Sequence, residues 1–398
     1  MVSSALVRDP EWIRRDLLSV LNFYYPTCID TTHGGYVAQL SDEDGTVYDA
    51  RRKGLVSTAR FVFDFCTGAR VGGPEWCVPA AEHGLTFLRN VAYNEDTGGY
   101  AWSFDGREID DPRHATYGHA FALFAFGSAV DAGIGDAEDD LSAAANVLDE
   151  HFWEPDHGAY RSDLDADWEP IEDYRGQNAN MHACEALLAA YEATGEDHYV
   201  ERAATVAETV AKRLPDAGDG LLWEHFTEEW DHDWTYNIGE KDDLFRPWGY
   251  QPGHLLEWAK LLVELDAHHG ADWYVDRAVR FFDAAVENGW DDEYGGLVYT
   301  FDRDGEFVVT DKYFWPLAEG LGAAALLGEA TGEERFWEWY DRMWEYLLTT
   351  MTNEKYGTWY ATVTREGELT KLDPTPKVKS GYHHVNADYA ALRALKAL

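Results

Sequence analysis

The chain has 398 residues, and 45% of them are hydrophobic, which is enough to form a large core. It carries 32 basic and 74 acidic side chains, and the resulting net charge of −42 disfavours nucleic acid and anionic membranes as partners. The acidic residues are spread along the whole chain, and only 10 residues are lysine. We interpret this charge as a halophilic surface, solvated and suited to high salt, with a surface for a cationic partner as the alternative.

The cysteine content and the N-terminal residues bear on the compartment. The four cysteines, at positions 28, 66, 77 and 184, form no CxxC motif, which favours free buried thiols in a reducing environment. Residues 1–10 lack a basic region followed by an apolar core, so they do not read as a secretory signal. No apolar run reaches the roughly 18 residues that a membrane helix needs. We therefore expect a cytoplasmic protein.

Six turns that combine glycine with an aromatic residue recur along the chain. They are marked by Gly35, Gly99, Gly158, Gly220, Gly296 and Gly357, at intervals of 64, 59, 62, 76 and 61 residues. A regular repeat of this length is typical of stacked or circular supersecondary units.

Paired helical patterns occupy the segments between the turns. The predicted helices are 10–25, 54–71, 75–93, 114–133, 137–152, 178–194, 197–213, 252–269, 272–288, 315–330, 333–351 and 382–397. The first and the last stand alone and pair only if the chain closes on itself. We therefore predict an all-α fold, an (α/α)6 toroid of twelve helices that spans residues 1–398 as one catalytic domain, with short β-hairpins on one rim.

The longest insertion lies between Trp223 and Trp248 and is rich in acidic side chains. It follows a turn on the predicted hairpin rim, so it is placed to cover the mouth of the toroid. A long connection in a compact domain is often a lid, and a solvated salt-adapted loop is the alternative.

Polar side chains recur early in each predicted inner helix, where apolar ones are expected. Measured from the turn glycines, Arg60, His119, His182, His254, Glu319 and His383 lie 25, 20, 24, 34, 23 and 26 residues downstream. Because the repeats are equivalent, we expect these side chains to meet in one pocket at the hairpin rim. The candidates for that pocket are Arg60, Tyr117, His119, Asn178, His182, Arg246, His254, Glu257, Trp315, Glu319 and His383.

The spacing His254-x-x-Glu257 places both side chains on one helix face, so that the carboxylate can orient the imidazole. His182 and Glu185 have the same spacing. Histidine and glutamate are also metal ligands, but no HExxH or CxxC motif accompanies them, so we predict no obligate metal. Glu257 and Glu319 are the carboxylates that a glycoside hydrolase would need.

Four motifs resemble the N-acylglucosamine 2-epimerase superfamily. They are RGQNANMHACEA at 175–186, FRPWGYQPGHLLEW at 245–258, KYFWPLAE at 312–319 and KSGYH at 379–383. They occur in the order that the family has, and the family fold is an (α/α)6 toroid. The residues of these motifs are most similar to those of the aldose–ketose isomerase branch, which includes mannose and sulfoquinovose isomerases. The resemblance implies that the protein uses neither a metal nor a cofactor.

The resemblance implies that His383 takes the C2 proton of an open-chain sugar and returns it to C1. We expect His254 to assist ring opening and the proton transfer between O1 and O2, since the pKa of histidine lies near neutrality. The remaining candidates would bind the substrate, with Arg60, Arg246 and His182 stabilising negative charge on its oxygens.

Two further classes stay open at this point: a sugar 2-epimerase, and a hydrolase or carbohydrate-binding protein with the same toroid. The expected partner is a monosaccharide, with a disaccharide or an anionic sugar as alternatives. The sequence leaves both a monomer and a homo-oligomer possible.

Overall fold

A computed structural model describes residues 4–370 and 380–398. Its twelve long helices are α1 (Pro10–Tyr24), α2 (Leu55–Arg70), α3 (Cys77–Phe87), α4 (Thr116–Asp131), α5 (Glu138–Val147), α6 (Gln177–Thr194), α7 (Asp197–Ala207), α8 (Pro252–His268), α9 (Tyr274–Gly289), α10 (Phe314–Thr331), α11 (Glu334–Tyr346) and α12 (Tyr382–Ala394). Four of them continue into one π-helical turn, at Leu88–Ala92, Leu148–Phe152, Glu208–Arg213 and Leu347–Met351. Single helical turns also occur at Ser4–Val7 and Leu214–Ala217. Within the described residues, no helix has the length and apolarity needed to cross a bilayer.

The even-numbered helices form an inner ring and the odd-numbered helices an outer one. Each inner helix contacts the next, and α12 contacts α2, so the ring is closed. Inner helices are buried around nearly their whole circumference, and α10 exposes little beyond its last turn. Outer helices such as α11 bury one stripe and expose charged residues on the other side. The predicted (α/α)6 toroid is confirmed.

The two ends of the chain meet, as the unpaired terminal helices required. Helix α1 packs against α12. Between them, Nε2 of His384 lies 2.6 Å from Oδ2 of Asp16. The ring of His384 also stacks on Trp359 at 3.4 Å between centroids. This contact joins the first helix to the last and leaves the imidazole of His384 buried away from the neighbouring His383 site.

Short antiparallel strands cover one rim, between the end of each outer helix and the start of the next inner helix. Four hairpins pair strands of one connection: 39–40 with 47–49, 93–94 with 99–100, 153–154 with 159–160, and 300–301 with 307–309. Four other sheets tie neighbouring connections together: 52–54 with 103–105 and 108–111, 114–115 with 163–164, 175–176 with 225–226, and 312–313 with 362–363. The predicted hairpin rim is confirmed.

The strand pairs that join neighbouring connections hold one residue of a connection beside the start of an inner helix. In four connections, the third or fourth residue after the turn glycine accepts, through its backbone carbonyl, a hydrogen bond from the first residue of the preceding inner helix. The pairs are Leu55 with Trp102 (3.1 Å), Thr116 with Ser162 (3.3 Å), Gln177 with Glu224 (3.2 Å) and Phe314 with Ala361 (3.2 Å). Side chains at this position therefore lie beside the start of an inner helix, where the site is found.

The long acidic connection folds back on the same rim. Trp223 donates from its indole nitrogen to the carbonyl of Asp233 at 3.0 Å, and Trp248 donates to the carbonyl of Trp234 at 2.8 Å. Its tip exposes Phe245, which is 71% accessible. The segment is thus anchored at its base by tryptophans. A lid role for it stays a prediction.

Candidate active site

His254 lies in the first turn of α8 and is bound by a glutamate from the neighbouring rim connection. Its Nδ1 lies 2.9 Å and 3.0 Å from the two carboxylate oxygens of Glu224. Gln177 donates to Glu224 at 2.8 Å, and Trp258 donates to Gln177 at 2.8 Å, which fixes the amide orientation. The amide nitrogen of Gln177 also lies 2.9 Å from Nδ1 of His254. Because a carboxylate only accepts, the contact with Glu224 favours the tautomer of His254 that has its proton on Nδ1.

The expectation that Glu257 orients His254 is wrong. Glu257 lies one turn further along α8, and its Oε1 is 3.7 Å from Nδ1 of His182. Among the described residues, that oxygen has no hydrogen-bond partner. Burial, followed by the charge of Glu319, raises the pKa of Glu257 well above its ordinary value. The residue that binds His254 is Glu224, which the sequence analysis did not select.

His383 has an equivalent arrangement in the first turn of α12. Its Nδ1 lies 2.7 Å from Oε1 of Glu319, and Oε2 of that glutamate accepts from Nζ of Lys260 at 2.6 Å. The carboxylate contact places the proton on Nδ1, and Nε2 has no hydrogen-bond partner in residues 4–370 and 380–398. Burial is the main reason why the pKa of His383 falls to about 4. His383 is therefore a neutral imidazole, and a potential base, at neutral pH.

Trp315 lies between the two histidines. Its ring centroid is 5.1 Å from that of His254 and 5.7 Å from that of His383. Its side chain is half-buried, whereas both histidines are buried behind it. The indole therefore forms a flat, partly accessible face between two hydrogen-bonded imidazoles, as the stacking of a sugar ring would require.

Arg60 brings a positive charge to the same region. Its Nη2 donates to the hydroxyl of Tyr117 at 2.9 Å. Its guanidinium lies over the rings of Phe121 and Tyr382 at 4.5 Å and 4.6 Å. Its Nε is buried without a hydrogen-bond partner within the described part of the chain. The same two rings contact the histidines, Phe121 that of His182 and Tyr382 that of His383, each at 4.7 Å between centroids, so the charge of Arg60 lies close to both imidazoles.

His182 and Asn178 share the axial face of α6. Nδ1 of His182 lies 3.1 Å from Oε2 of Glu185, and burial lowers the pKa of His182 despite that contact. Tyr382 donates to Glu185 at 2.5 Å, and Asn386 donates to it at 3.0 Å. Asn178 lies one turn nearer the rim and is half-buried. The structure thus brings both predicted residues to the axis.

His119 is not part of this site, contrary to its selection as a substrate-binding residue. It is fully buried, and both ring nitrogens bind backbone groups: Nε2 accepts from the amide of Tyr100 at 3.1 Å, and Nδ1 donates to the carbonyl of Ala115 at 2.9 Å. Asn180 makes the same kind of contact in the next repeat, with the amide and carbonyl of Tyr160. His119 anchors a rim hairpin to α4.

Arg246 lies at the rim, in the long acidic connection. Its Nη1 is 2.5 Å from Glu172 and 2.8 Å from the hydroxyl of Tyr236, and its guanidinium packs over Tyr174 at 4.1 Å. Tyr174 in turn contacts His225, the neighbour of Glu224 in sequence, at 3.0 Å. Arg246 is therefore linked through Tyr174 and His225 to the strand next to Glu224. Its contact with a substrate stays a prediction.

Two groups in the described part of the chain have histidine and carboxylate ligand atoms close enough for a metal: His182 with Glu185 and Glu257, and Asp16 with His384 and Asp388. In the first group, hydrogen bonds from His182, Tyr382 and Asn386 already occupy both oxygens of Glu185. Those donors favour a hydrogen-bonded site over a metal centre.

The fold and the site together define a helical toroid whose inner helices bring buried histidine–glutamate pairs together. The chain belongs to the N-acylglucosamine 2-epimerase family, whose model matches residues 34–387. It is 39% identical to a D-mannose isomerase of Marinomonas mediterranea over 94% of each chain. A crystal structure of a D-mannose isomerase superposes with a TM-score of 0.93 at 37% identity, over 97% of this chain and 98% of that one. A cellobiose 2-epimerase from Bacillus thermoamylovorans has a TM-score of 0.83 at 20% identity, over 97% and 99%, and shares the fold.

Proposed function

We propose that the protein is an aldose–ketose isomerase that converts D-mannose to D-fructose by histidine acid–base catalysis. The observation that carries the proposal is the pair of imidazoles on either side of Trp315. Each of them contacts a buried glutamate through Nδ1, and no hydrogen bond to its Nε2 is found among the residues that the structure describes. The similarity to D-mannose isomerases supports the choice of substrate.

In the proposed reaction, Nε2 of His383 removes the proton from C2 of the open-chain aldose. The electron pair of the C2–H bond forms the C1–C2 double bond, and O1 takes the negative charge of the enediolate. His383 then returns the proton to C1 while the carbonyl forms at C2. The aldehyde carbon is reduced and C2 is oxidised within one molecule, so the step needs no external oxidant.

The other side chains would act on the oxygens. His254 is suited to open the ring and to carry the proton between O2 and O1, because its described hydrogen-bond contacts all involve Nδ1 and leave Nε2 for the substrate. The positive charge of Arg60 stabilises the enediolate, and its donor to Tyr117 leaves other guanidinium hydrogens available. We assign Trp315 to stacking on the sugar, and His182, Asn178, Arg246, Glu257 and Glu319 to the surrounding polar shell.

A sugar 2-epimerase is the second candidate, because cellobiose 2-epimerases share this fold. That reaction passes through the same enediolate but returns the proton to C2 from the opposite face. The two reactions therefore differ in their product and not in their first step.

We further propose that residues 1–398 act as one catalytic domain in a reducing cytoplasm at high salt. The four cysteines are free and buried, which supports a compartment without disulfide formation. The net charge of −42 supports adaptation to salt.

The test is incubation with D-mannose in heavy water, with D-glucose and cellobiose in parallel. We expect D-fructose that carries deuterium at C1 in proportion to the exchange of the His383 proton with solvent before its return, and a primary isotope effect with mannose deuterated at C2. D-glucose as the first product from mannose would support epimerisation. His383→Asn and His254→Asn should each lower kcat by at least about 100-fold, and near-normal turnover in either variant would contradict the assignment.

A further inference from the structure

Lys260 is a buried ammonium on α8 that contacts two of the glutamates behind the site. Its side chain is 2% exposed, and its Nζ lies 2.6 Å from Oε2 of Glu319 and 3.8 Å from Oε1 of Glu185. The other oxygen of each glutamate binds an imidazole: that of His383 at 2.7 Å and that of His182 at 3.1 Å. One cation thus joins two histidine–glutamate pairs.

The carboxyl groups around Lys260 outnumber its single positive charge. Four carboxyl groups act on this single ammonium: the buried Glu319, Glu185 and Glu257, and the half-buried Glu264. Burial alone would raise the pKa of Glu185, but the hydrogen bond from His182 and the charge of Lys260 lower it to about 2. Burial acts on Glu319 in the same way, and Lys260 is the largest opposing cause that lowers its pKa. Lys260 therefore keeps the carboxylate behind His383 ionised.

The ionisation of Glu319 determines which nitrogen of His383 is free. A carboxylate accepts the Nδ1 proton and leaves a lone pair on Nε2. If Glu319 were a neutral carboxyl group, it would donate its hydrogen to Nδ1. The imidazole proton would then lie on Nε2, and the nitrogen assigned to the substrate could no longer act as a base.

We propose that Lys260 is a positioning residue that holds His383 in its proton-accepting tautomer through Glu319 and couples this pair to His182 through Glu185. The catalytic consequence rests on the proposed isomerase function. The proposed tautomer of His383 does not rest on that function, because it is a property of the free protein.

The test compares Lys260→Met, Lys260→Arg and the matched control Lys53→Met. Lys53 is an equally buried lysine, 2.7 Å from Asp30 and outside the site. With 15N-labelled histidine, we expect His383, assigned through His383→Asn, to carry its proton on Nδ1 in the wild type and on Nε2 in Lys260→Met. Lys260→Arg and Lys53→Met should retain the wild-type tautomer.

Turnover gives the second readout. Lys260→Met should lower kcat by about 100-fold at pH 7, with less than about threefold change in KM. The acidic limb of the pH profile of kcat should lie at least about one pH unit higher in Lys260→Met than in the wild type. Part of the activity of this variant should therefore return at pH 9. The kcat of Lys260→Arg should stay within about tenfold of the wild-type value.

Two results would overturn the proposal: an unchanged His383 tautomer in Lys260→Met, or a loss of activity with the wild-type pH profile. If Lys260→Met does not fold, Lys260→Gln removes the charge while keeping a polar group, and the same two readouts apply. If the wild type does not isomerise mannose, the proposed function fails, whereas the tautomer comparison still decides the role of Lys260.

Discussion

Gly253 and Trp315 are in direct contact: a β-carbon on Gly253 would lie 2.3 Å from the ring of Trp315. Gly253 is in the first turn of α8, immediately before His254. A side chain at this position must therefore displace the indole that separates the two histidines. The glycine is required by the close approach of this ring, since no unusual backbone angle is found there.

Gly253→Ala should displace Trp315 and lower kcat/KM by roughly 10-fold to 100-fold, because small misplacement of a positioned group is costly. Steady-state kinetics with mannose measure the effect. Gly239→Ala is the control, since a β-carbon there meets no atom within 4 Å. Equal kcat/KM values for the two variants would show that the position of Trp315 does not matter for turnover.

Glu224→Gln tests which carboxylate serves His254. The amide keeps the shape but removes the charge that fixes the Nδ1 proton, so we expect kcat to fall on the order of 100-fold. Glu172→Gln is the matched control, because Glu172 binds Arg246 at the rim. Kinetics of both variants under identical conditions decide the matter. If Glu224→Gln were as active as Glu172→Gln, the His254–Glu224 contact would have no catalytic role.

The sequence predicted the ring of helices and the histidines, but not Glu224 or Lys260, for physical reasons. The turn spacing and helical periodicity depend on local patterns, and these determine that His254 and His383 begin equivalent helices. Glu224 reaches His254 through strand pairing between neighbouring connections, which no local pattern encodes. No local pattern marks Lys260 either, because its contact with Glu319 joins residues 59 positions apart.

The error at His119 follows from helical phase. Positions 117 and 119 are about 200° apart on a helix, so only one of them can face the axis. Tyr117 does, through its contact with Arg60, and His119 faces the hairpin. The same phase separates Asn178, on the axial face, from Asn180. Repeat offsets alone could not distinguish the two faces.

His119→Ala should destabilise the fold while sparing the chemistry. It removes a buried ring that is packed at 5.0 Å from Phe152 and takes away the acceptor of the Tyr100 amide, so we expect a loss of about 2–4 kcal/mol in the free energy of unfolding. Urea denaturation measures this loss, and kcat/KM at 25 °C should stay within about threefold. A large loss of kcat/KM in a fully folded variant would show that His119 does belong to the site.

The pH dependence should reflect the burial of His383. Its pKa is lowered from the ordinary value to about 4, and the neutral form is the base, so activity should be lost only as the pH falls through that region. We expect kcat/KM to be flat above about pH 6, where an unperturbed histidine would already be titrating. Circular dichroism and a return to pH 7 check that the loss is not due to unfolding. A midpoint near 6.5 would contradict the assignment of the base.

The thermal midpoint should rise with salt, because 74 acidic side chains face 32 basic ones. The repulsion among exposed carboxylates is screened as the Debye length shortens from about 10 Å at 0.1 M to about 3 Å at 1 M. Melting curves in KCl should therefore rise steeply below about 0.5 M and level off above it. Exclusion of salt from the surface would instead give a rise that continues to several molar. A midpoint that does not change between 0.05 and 0.5 M would remove the electrostatic argument for salt adaptation.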